Sequence, residues 1–459
     1  MGILMLLAVL SGVVMNVLAK RHRNAYQTAA WHDALLTAES GVDMAVAELR
    51  RSLSDPTSAF NTWTRADGTS GGPDAGTTFL TSSTLLRRGE GGQQSWARVE
   101  VAAPPTLKDS RGTQWYRVRS TGYAEVPGGR VLGGESLDVA LRTLDFRVDH
   151  RTHQAIAKPQ ASRLVEVIVK PIGAFRLALL SENRIDMNNH NIVVDSYDSR
   201  DATKSTLGFY DPLKRQSNGD IASNGTVIDA GNAQIYGDAS TNGGTVLNSS
   251  NVRGEIRDDF YQELFPVTVP TMVRTVGTPT TVTASETVVA SATSPTMVIL
   301  SEIRLSGPKI FRIQGALDGS PTYAQILVTG NVSLSGQAGI VLDPGVNVRM
   351  FVVGDADFTG QGVANPNSPL NFQLYGVERP SGDIGAFKIA GNGGFRGAVY
   401  APNYRINMVG GGSSDSIFGA FVGYNVNMTG VQSVHYDEAM GEGGLIADFR
   451  VVNWFEDAR

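Results

Sequence analysis

From about Ala174 onward the chain repeats one texture, a strand of three to five residues followed by a Gly-Asn, Gly-Asp, Asn-Gly or Ser-Gly corner. SNGTVIDAGNAQIYGDAS and ILVTGNVSLSGQAGIVLDPGVNVRMFVVGDADFTGQG are examples, and most of the 52 glycines crowd between residues 205 and 444. Such corners need positive φ, which Gly adopts freely and Asn adopts more readily than most residues. Strands this short cannot bury an apolar face alone, so they stack rung upon rung. The expected fold here is a right-handed parallel β-solenoid, with a short-stranded β-sandwich as the alternative. The spacing is irregular and fixes no rung length. Two solenoid blocks are expected, 174–265 and 299–459. Between them, 266–298 is rich in Thr, Val and Pro (Pro266, Pro270, Pro279, Pro295) and reads as an extended excursion. The apolar run Phe449–Phe455 is expected to cap the solenoid end.

The other end of the chain has a different period. Gly2 to Ala19 is apolar except for Ser11 and Asn16, just long enough at 1.5 Å per residue to cross a bilayer core. Ile3, Leu6, Leu10, Val14 and Leu18 are the expected anchor residues. A small residue, Ala19, ends the run, so it also reads as the apolar part of a cleaved signal peptide. The basic cluster Lys20–Arg23 follows the run, and taken alone it belongs on the cytoplasmic side. Beyond it Trp31, Leu35, Ala38, Val42, Ala45 and Leu49 recur at helical spacing, and Ser54-Asp55-Pro56 ends the pattern. No Gly or Pro stands between Val13 and Ser40. A single rod over 1–54 is therefore expected, apolar first and striped afterwards, with the stripe available for packing beside related rods.

Through Ala34, Leu35, Ala38, Glu39, Gly41 and Val42, this N-terminal stretch resembles the PilX-class type IV pilus assembly proteins. In that class an apolar helix leads through a run ending in A-x-x-A-E-x-G-[VL] into a β-rich head. The resemblance implies processing between Gly2 and Ile3. It departs from the family at two points. Only Met1 precedes Gly2, where precursors carry a basic leader, and Leu7 occupies the fifth mature position, where major pilins have Glu. The second departure is similar to tip-type minor pilins. The run GAVYAPNYRINMVGG, with Val434-His435-Tyr436-Asp437-Glu438 after it and Val194-Asp195-Ser196-Tyr197-Asp198-Ser199 upstream, resembles an uncharacterised β-rich domain of bacterial envelope proteins that often follows PilX-like N-termini. No reaction is implied by it.

Residues 55–92 are rich in Gly, Ser, Thr and Pro and are expected to form a linker. Over 93–173 alternating apolar and polar residues predict an antiparallel β head, with strands over 96–102, 115–126, 137–148 and 163–171. Fold class is thus mainly β with one long N-terminal helix. Charge excludes one class of partner: 39 basic and 44 acidic residues leave a net −5, too weak and too scattered a field for nucleic acid. With no cysteine there are neither disulfides nor thiolate metal sites.

Two motifs carry ionisable groups in suggestive patterns. Asp195, Asp198 and Asp201 stand three apart in DSYDSRD, where a Ca²⁺ loop or a pair of polysaccharide-cleaving carboxylates would place them. Turn formation and solvated charge explain the same spacing more simply. His435 and Asp437 fall on one face of a strand, yet no nucleophile accompanies them. Gly391–Gly397 lacks the Gly-Lys-Ser/Thr ending of a phosphate loop and reads as solenoid corners. No catalytic residue, metal site or cofactor is therefore assigned, a structural Ca²⁺ aside. The function expected is a structural, pilin-like subunit at the bacterial inner membrane with its head in the periplasm or on the surface. Its partners would be the membrane, other pilin-like subunits and surface polysaccharide. The alternatives are a polysaccharide-active enzyme on a parallel β-helix and an adhesin on an ordinary membrane anchor.

Overall fold

The computed structural model describes residues 2–54, 59–65, 78–80, 84–88, 94–108, 114–126, 160–187, 190–270, 281–390, 394–410 and 416–457. The protein is mainly β with one long N-terminal helix, and it divides into two compact units. The first holds residues 1–171 and 449–459; the second holds 172–448 and is thus an insertion within the first.

In the first unit the helix Gly2–Ser54 packs on strands Gln94–Ala102 and Tyr116–Glu125. These strands and Gln160–Gly173 are joined by antiparallel ladders, Val99 opposite Ser120 and Ser120 opposite Val165. Strict alternation along Tyr116–Glu125 turns Tyr116, Val118, Ser120, Gly122 and Ala124 inward. The helix meets this face with small residues. Ala30 and Ala34 share a core with Ala124 and Ala161, and Ala38, Gly41, Val42, Ala45 and Leu49 are also buried. Small side chains on both sides let the helix axis approach the sheet closely, which increases dispersion contact along the line of crossing.

Two expectations about this unit change. Part of the predicted linker 55–92 belongs to the sheet, through strands Thr64–Arg65, Thr78–Leu80 and Thr84–Arg88. Burial is the reason: Phe60 stacks on Phe79 at 4.4 Å and meets Trp63 edge-on at 5.3 Å. The predicted solenoid cap Phe449–Phe455 instead lies in strand Ile446–Asp457, beside Gln160–Gly173 in the first unit's sheet. There Phe449 is buried edge-on against Tyr116 at 5.6 Å. The predicted strand 137–148 lies outside the described residues.

The second unit is a parallel β-solenoid; from Thr281 to Phe395 it has three strands to a turn, each pairing with the third one after it. Thr296, Ala324, Val348 and Phe372 form one in-register column, whose last two steps are of 24 residues each. Parallel neighbours rule out the sandwich alternative, whose sheets are antiparallel. Alternation again sorts the side chains: Thr322, Ala324, Ile326 and Val328 point inward above Val346, Val348, Met350 and Val352. Aromatic residues fill the axis, with Phe395 within 6.1 Å of the Phe358, Phe372 and Phe421 rings. Asparagine pairs link successive turns, as in Asn371 Nδ2 to Asn347 Oδ1 at 3.0 Å and Asn427 Nδ2 to Asn407 Oδ1 at 3.0 Å.

Winding order and sequence order differ. The ladder runs from Thr281–Val289 through successive turns to Ser416–Thr429 and Gln432–Asp437. The next strands in space are Leu179–Asp186 and His190–Tyr197, which pair with those two. Turns 221–235 and 239–257 follow. The spiral is therefore continuous in space but cut in sequence, with both chain ends of the unit at mid-stack. Beyond residue 257 the chain runs back along the stack. Phe260, Leu264, Val267 and Val269 pack against the core, Gln262 exchanges hydrogen bonds with Asn224, and Tyr400 donates to the Phe265 carbonyl at 2.9 Å. The predicted excursion 266–298 is shorter than expected, because Thr281–Val282, Glu286–Val289 and Thr296–Leu300 already form the solenoid's first turn.

Gly345 has φ +76°, and a Cβ built there would lie 2.2 Å from the Gly319 carbonyl oxygen in the turn beneath. Gly307 has φ +67° with nothing within 4 Å of the same position. Gly345→Ala is expected to cost about 2–3 kcal/mol, steric overlap added to conformational strain. Gly307→Ala should cost about 1 kcal/mol, the strain alone. Urea unfolding followed by far-UV circular dichroism compares them, and equal losses would show that stacking plays no part.

Candidate functional site

Both motifs singled out from the sequence lie at the mid-stack join, where the unit's last solenoid strand in sequence pairs with one of its earliest. Gln432–Asp437 and His190–Tyr197 run in register, with His435 opposite Asp195, Tyr436 opposite Ser196 and Asp437 opposite Tyr197. Residues 240 apart are thus brought side by side. His435 Nδ1 lies 2.5 Å from Asp195 Oδ1, and the Tyr210 hydroxyl donates to Asp195 Oδ2 at 2.8 Å. Tyr210 stacks on the His435 ring at 3.7 Å, while Phe418 lies 5.3 Å from the same ring. Asp195 is 0% exposed, so the imidazole and the phenol supply the partners its carboxylate needs away from water.

Around this core the segment between Asp198 and Asp220 folds over the join, pinned at its ends by Ser196 and Gln216 pairing through their backbones. Arg200 grips Asp198 with Nε and Nη2, both at 2.8 Å, and reaches Glu442 with Nη1 at 2.7 Å. That guanidinium holds the Asp198 carboxyl below its ordinary range. Ser196 Oγ and Asn218 Nδ2 both donate to Glu438 Oε1 at 2.8 Å. Asp437 Oδ1 accepts from the backbone amides of Ser199 and Ala439 at 3.0 and 3.1 Å. Burial dominates at Asp437 and pushes its carboxyl pKa up. His435, Asp437, Glu438 and Glu442 each make a contact that joins residues 195–218 to residues 435–442.

The three aspartates of DSYDSRD do not converge as a cation loop would require. Asp195 turns to His435 and Tyr210, Asp198 to Arg200, and Asp201 takes the amide and hydroxyl of Thr203 at 2.8 and 2.7 Å. Among the described residues no group of three or more His, Asp or Glu could hold a metal ion. What the arrangement does chemically is join strands: it satisfies buried charge across a break in the chain. Tyr210 and the Arg200–Glu442 bridge were missed in the sequence, where nothing marks a loop tyrosine or arginine as the partner of a residue so far away.

The helix residues divide into two groups. Ile3, Leu6, Leu10, Val14 and Leu18 are all exposed, from 50% at Leu18 to 77% at Ile3. Gly2 falls within the helix, but its surroundings lie outside the described residues. Among the described residues no helix is long and apolar enough to cross a membrane, so the expected spanning segment is not met there. Of the predicted stripe, Ala38, Val42, Ala45 and Leu49 are buried against the unit's own sheet and Leu35 is half-buried. Trp31 is 54% exposed, with the Arg163 guanidinium 5.4 Å from its ring. The apolar period leaves out Ala30, Ala34 and Gly41, of which only Ala34 and Gly41 enter through the family motif, because residues so small leave almost no mark in an apolar pattern.

Comparison with known proteins adds three findings. Residues 313–442 match the model of a domain of unknown function, DUF7305, which takes in the solenoid from its second turn to the join, including His435 and Asp437. No curated protein matches the chain. The competence-associated pilin ComZ from Thermus thermophilus aligns over 93% of this chain and 97% of its own at 10% identity, with a TM-score of 0.23, a likeness too slight to bear on fold or function.

Proposed function

We propose that the protein is a pilin-like structural subunit of the cell envelope that carries a β-solenoid as its displayed module. One observation supports this reading above the rest. The second half of the helix Gly2–Ser54 is buried in an antiparallel sheet, whereas its first half leaves Ile3, Leu6, Leu7, Leu10, Val13, Val14, Val17 and Leu18 exposed. An apolar half-helix of that length needs a cover. In this proposal the bilayer provides it before assembly and the helices of neighbouring subunits provide it afterwards. The small-residue face is already occupied by the sheet, so lateral packing uses the exposed half. The clasp at the join serves display, because it holds the solenoid closed where its chain ends meet.

Leu10→Asp and Val14→Asp test the proposal. Each places a charge on the half-helix without touching either core, so the folded units keep their unfolding midpoints within about 0.5 kcal/mol. The variants are expected to lose at least tenfold of the protein from the membrane and sheared-surface fractions, measured by quantitative immunoblotting. Unchanged fractionation with both charges present would remove the proposal.

A further inference from the structure

Arg396, Phe418, His435 and Asp195 are successive in-register partners, one column on the face of the solenoid turned away from its core. The segment over the join covers this column. Tyr210 lies on His435, and Phe209 lies 4.8 Å from the Arg396 guanidinium, which sits 4.4 Å from the Phe418 ring. Under that cover three polar atoms are sealed from solvent and have no hydrogen-bond partner: Tyr197 Oη, Asp437 Oδ2 and Arg396 Nη1. Tyr197 and Asp437 are register neighbours and both are 0% exposed. The Tyr197 phenol interacts electrostatically with both other groups.

Folded proteins pair nearly all such groups, using ordered water where protein atoms do not reach. Here the donors and acceptors select the ligand. Arg396 Nη1 only donates, the Asp437 oxygen accepts, and the phenol does either. A metal cation would face the guanidinium, and an anion would face the carboxylate. A hydroxyl oxygen that accepts from one and donates to the other suits both charges, and a buried water needs two to four polar partners of this kind. We propose that one water molecule is a fixed component of the join, held by Tyr197 Oη, Asp437 Oδ2 and Arg396 Nη1. It completes the outer side of the clasp, as the His435–Asp195 pair completes the inner one.

The sign of one substitution tests this. Tyr197→Phe removes a single oxygen and keeps the ring. If the phenol bonds to a water, its loss weakens the join, and amide exchange over 192–197 and 432–437 should accelerate roughly tenfold relative to 322–328 and 346–352. If the hydroxyl has no partner, removing it relieves an unpaired buried group, so exchange at the join stays the same or slows, and the proposal falls. A high-resolution crystal structure of the full chain should place an oxygen about 2.7–3.2 Å from all three atoms. Direct bonds among the three, or a gap without density between them, would overturn it as well.

Discussion

Asp195→Ala is expected to destabilise the solenoid unit by about 3–5 kcal/mol, because two buried polar groups lose their partner at once. The substitution takes away the acceptor for His435 Nδ1 and for the Tyr210 hydroxyl together, leaving an imidazole and a phenol buried without their partner. It acts at the point where the spiral is cut in sequence. Every other junction between turns is backed by a covalent path through a corner, whereas Gln432–Asp437 and Leu179–Asp186 are successive in space only. Loss of the clasp should therefore free turns 179–257 from the turns 281–437 before either block melts. Far-UV circular dichroism in urea would show a lower midpoint, and limited proteolysis would show new cleavage between Asp198 and Asp220. Asp195→Asn keeps an acceptor oxygen and should lose markedly less. A shift under 0.5 kcal/mol for the alanine variant would mean that the join is held by backbone pairing and apolar burial alone.

The same topology explains what could be read from the sequence. Short strands and Gly or Asn corners are local signals, so a solenoid and its approximate start were legible at Ala174. Which strand follows which in space is not local. Nothing in the residues of Leu179–Asp186 says that they stack on Phe421–Asn427 instead of on a segment just before them, because both present the same inward apolar alternation. For that reason DSYDSRD and VHYDE, linked in the sequence only by one family resemblance, give no sign there of touching, although they are the two halves of one clasp. The terminal run misled for a related reason. Apolar alternation in Phe449–Phe455 predicts a strand correctly but does not choose between two sheets, and Tyr116 decides it. In the helix the period was legible from Trp31 to Leu49, yet the contact line is set by alanines and Gly41, where the absence of side chain is the signal.

That contact line carries the second large effect. Gly122→Val is expected to cost the first unit about 3 kcal/mol or more, beyond the usual range for overpacking. A Cβ at position 122 would lie 2.0 Å from the Ala34 carbonyl oxygen and 2.5 Å from the Ala38 amide nitrogen. These are backbone atoms of a helix, so relief cannot come from a rotamer change; the helix must lift from the sheet. Lifting it would open the alanine core of Ala30, Ala34, Ala124 and Ala161 and the seat of Gly41 between Ser120 and Val99. Thr121→Val, one residue earlier and facing outward, adds no such overlap and should stay within about 0.5 kcal/mol. The chain offers a selective readout, because its five tryptophans, Trp31, Trp63, Trp96, Trp115 and Trp454, all belong to the first unit. Tryptophan emission during urea unfolding should therefore show the loss for Gly122→Val and no change for Asp195→Ala. A Gly122→Val midpoint equal to that of the parent would mean that the helix rests on the sheet loosely enough to yield, and close packing of small residues would no longer account for its seat.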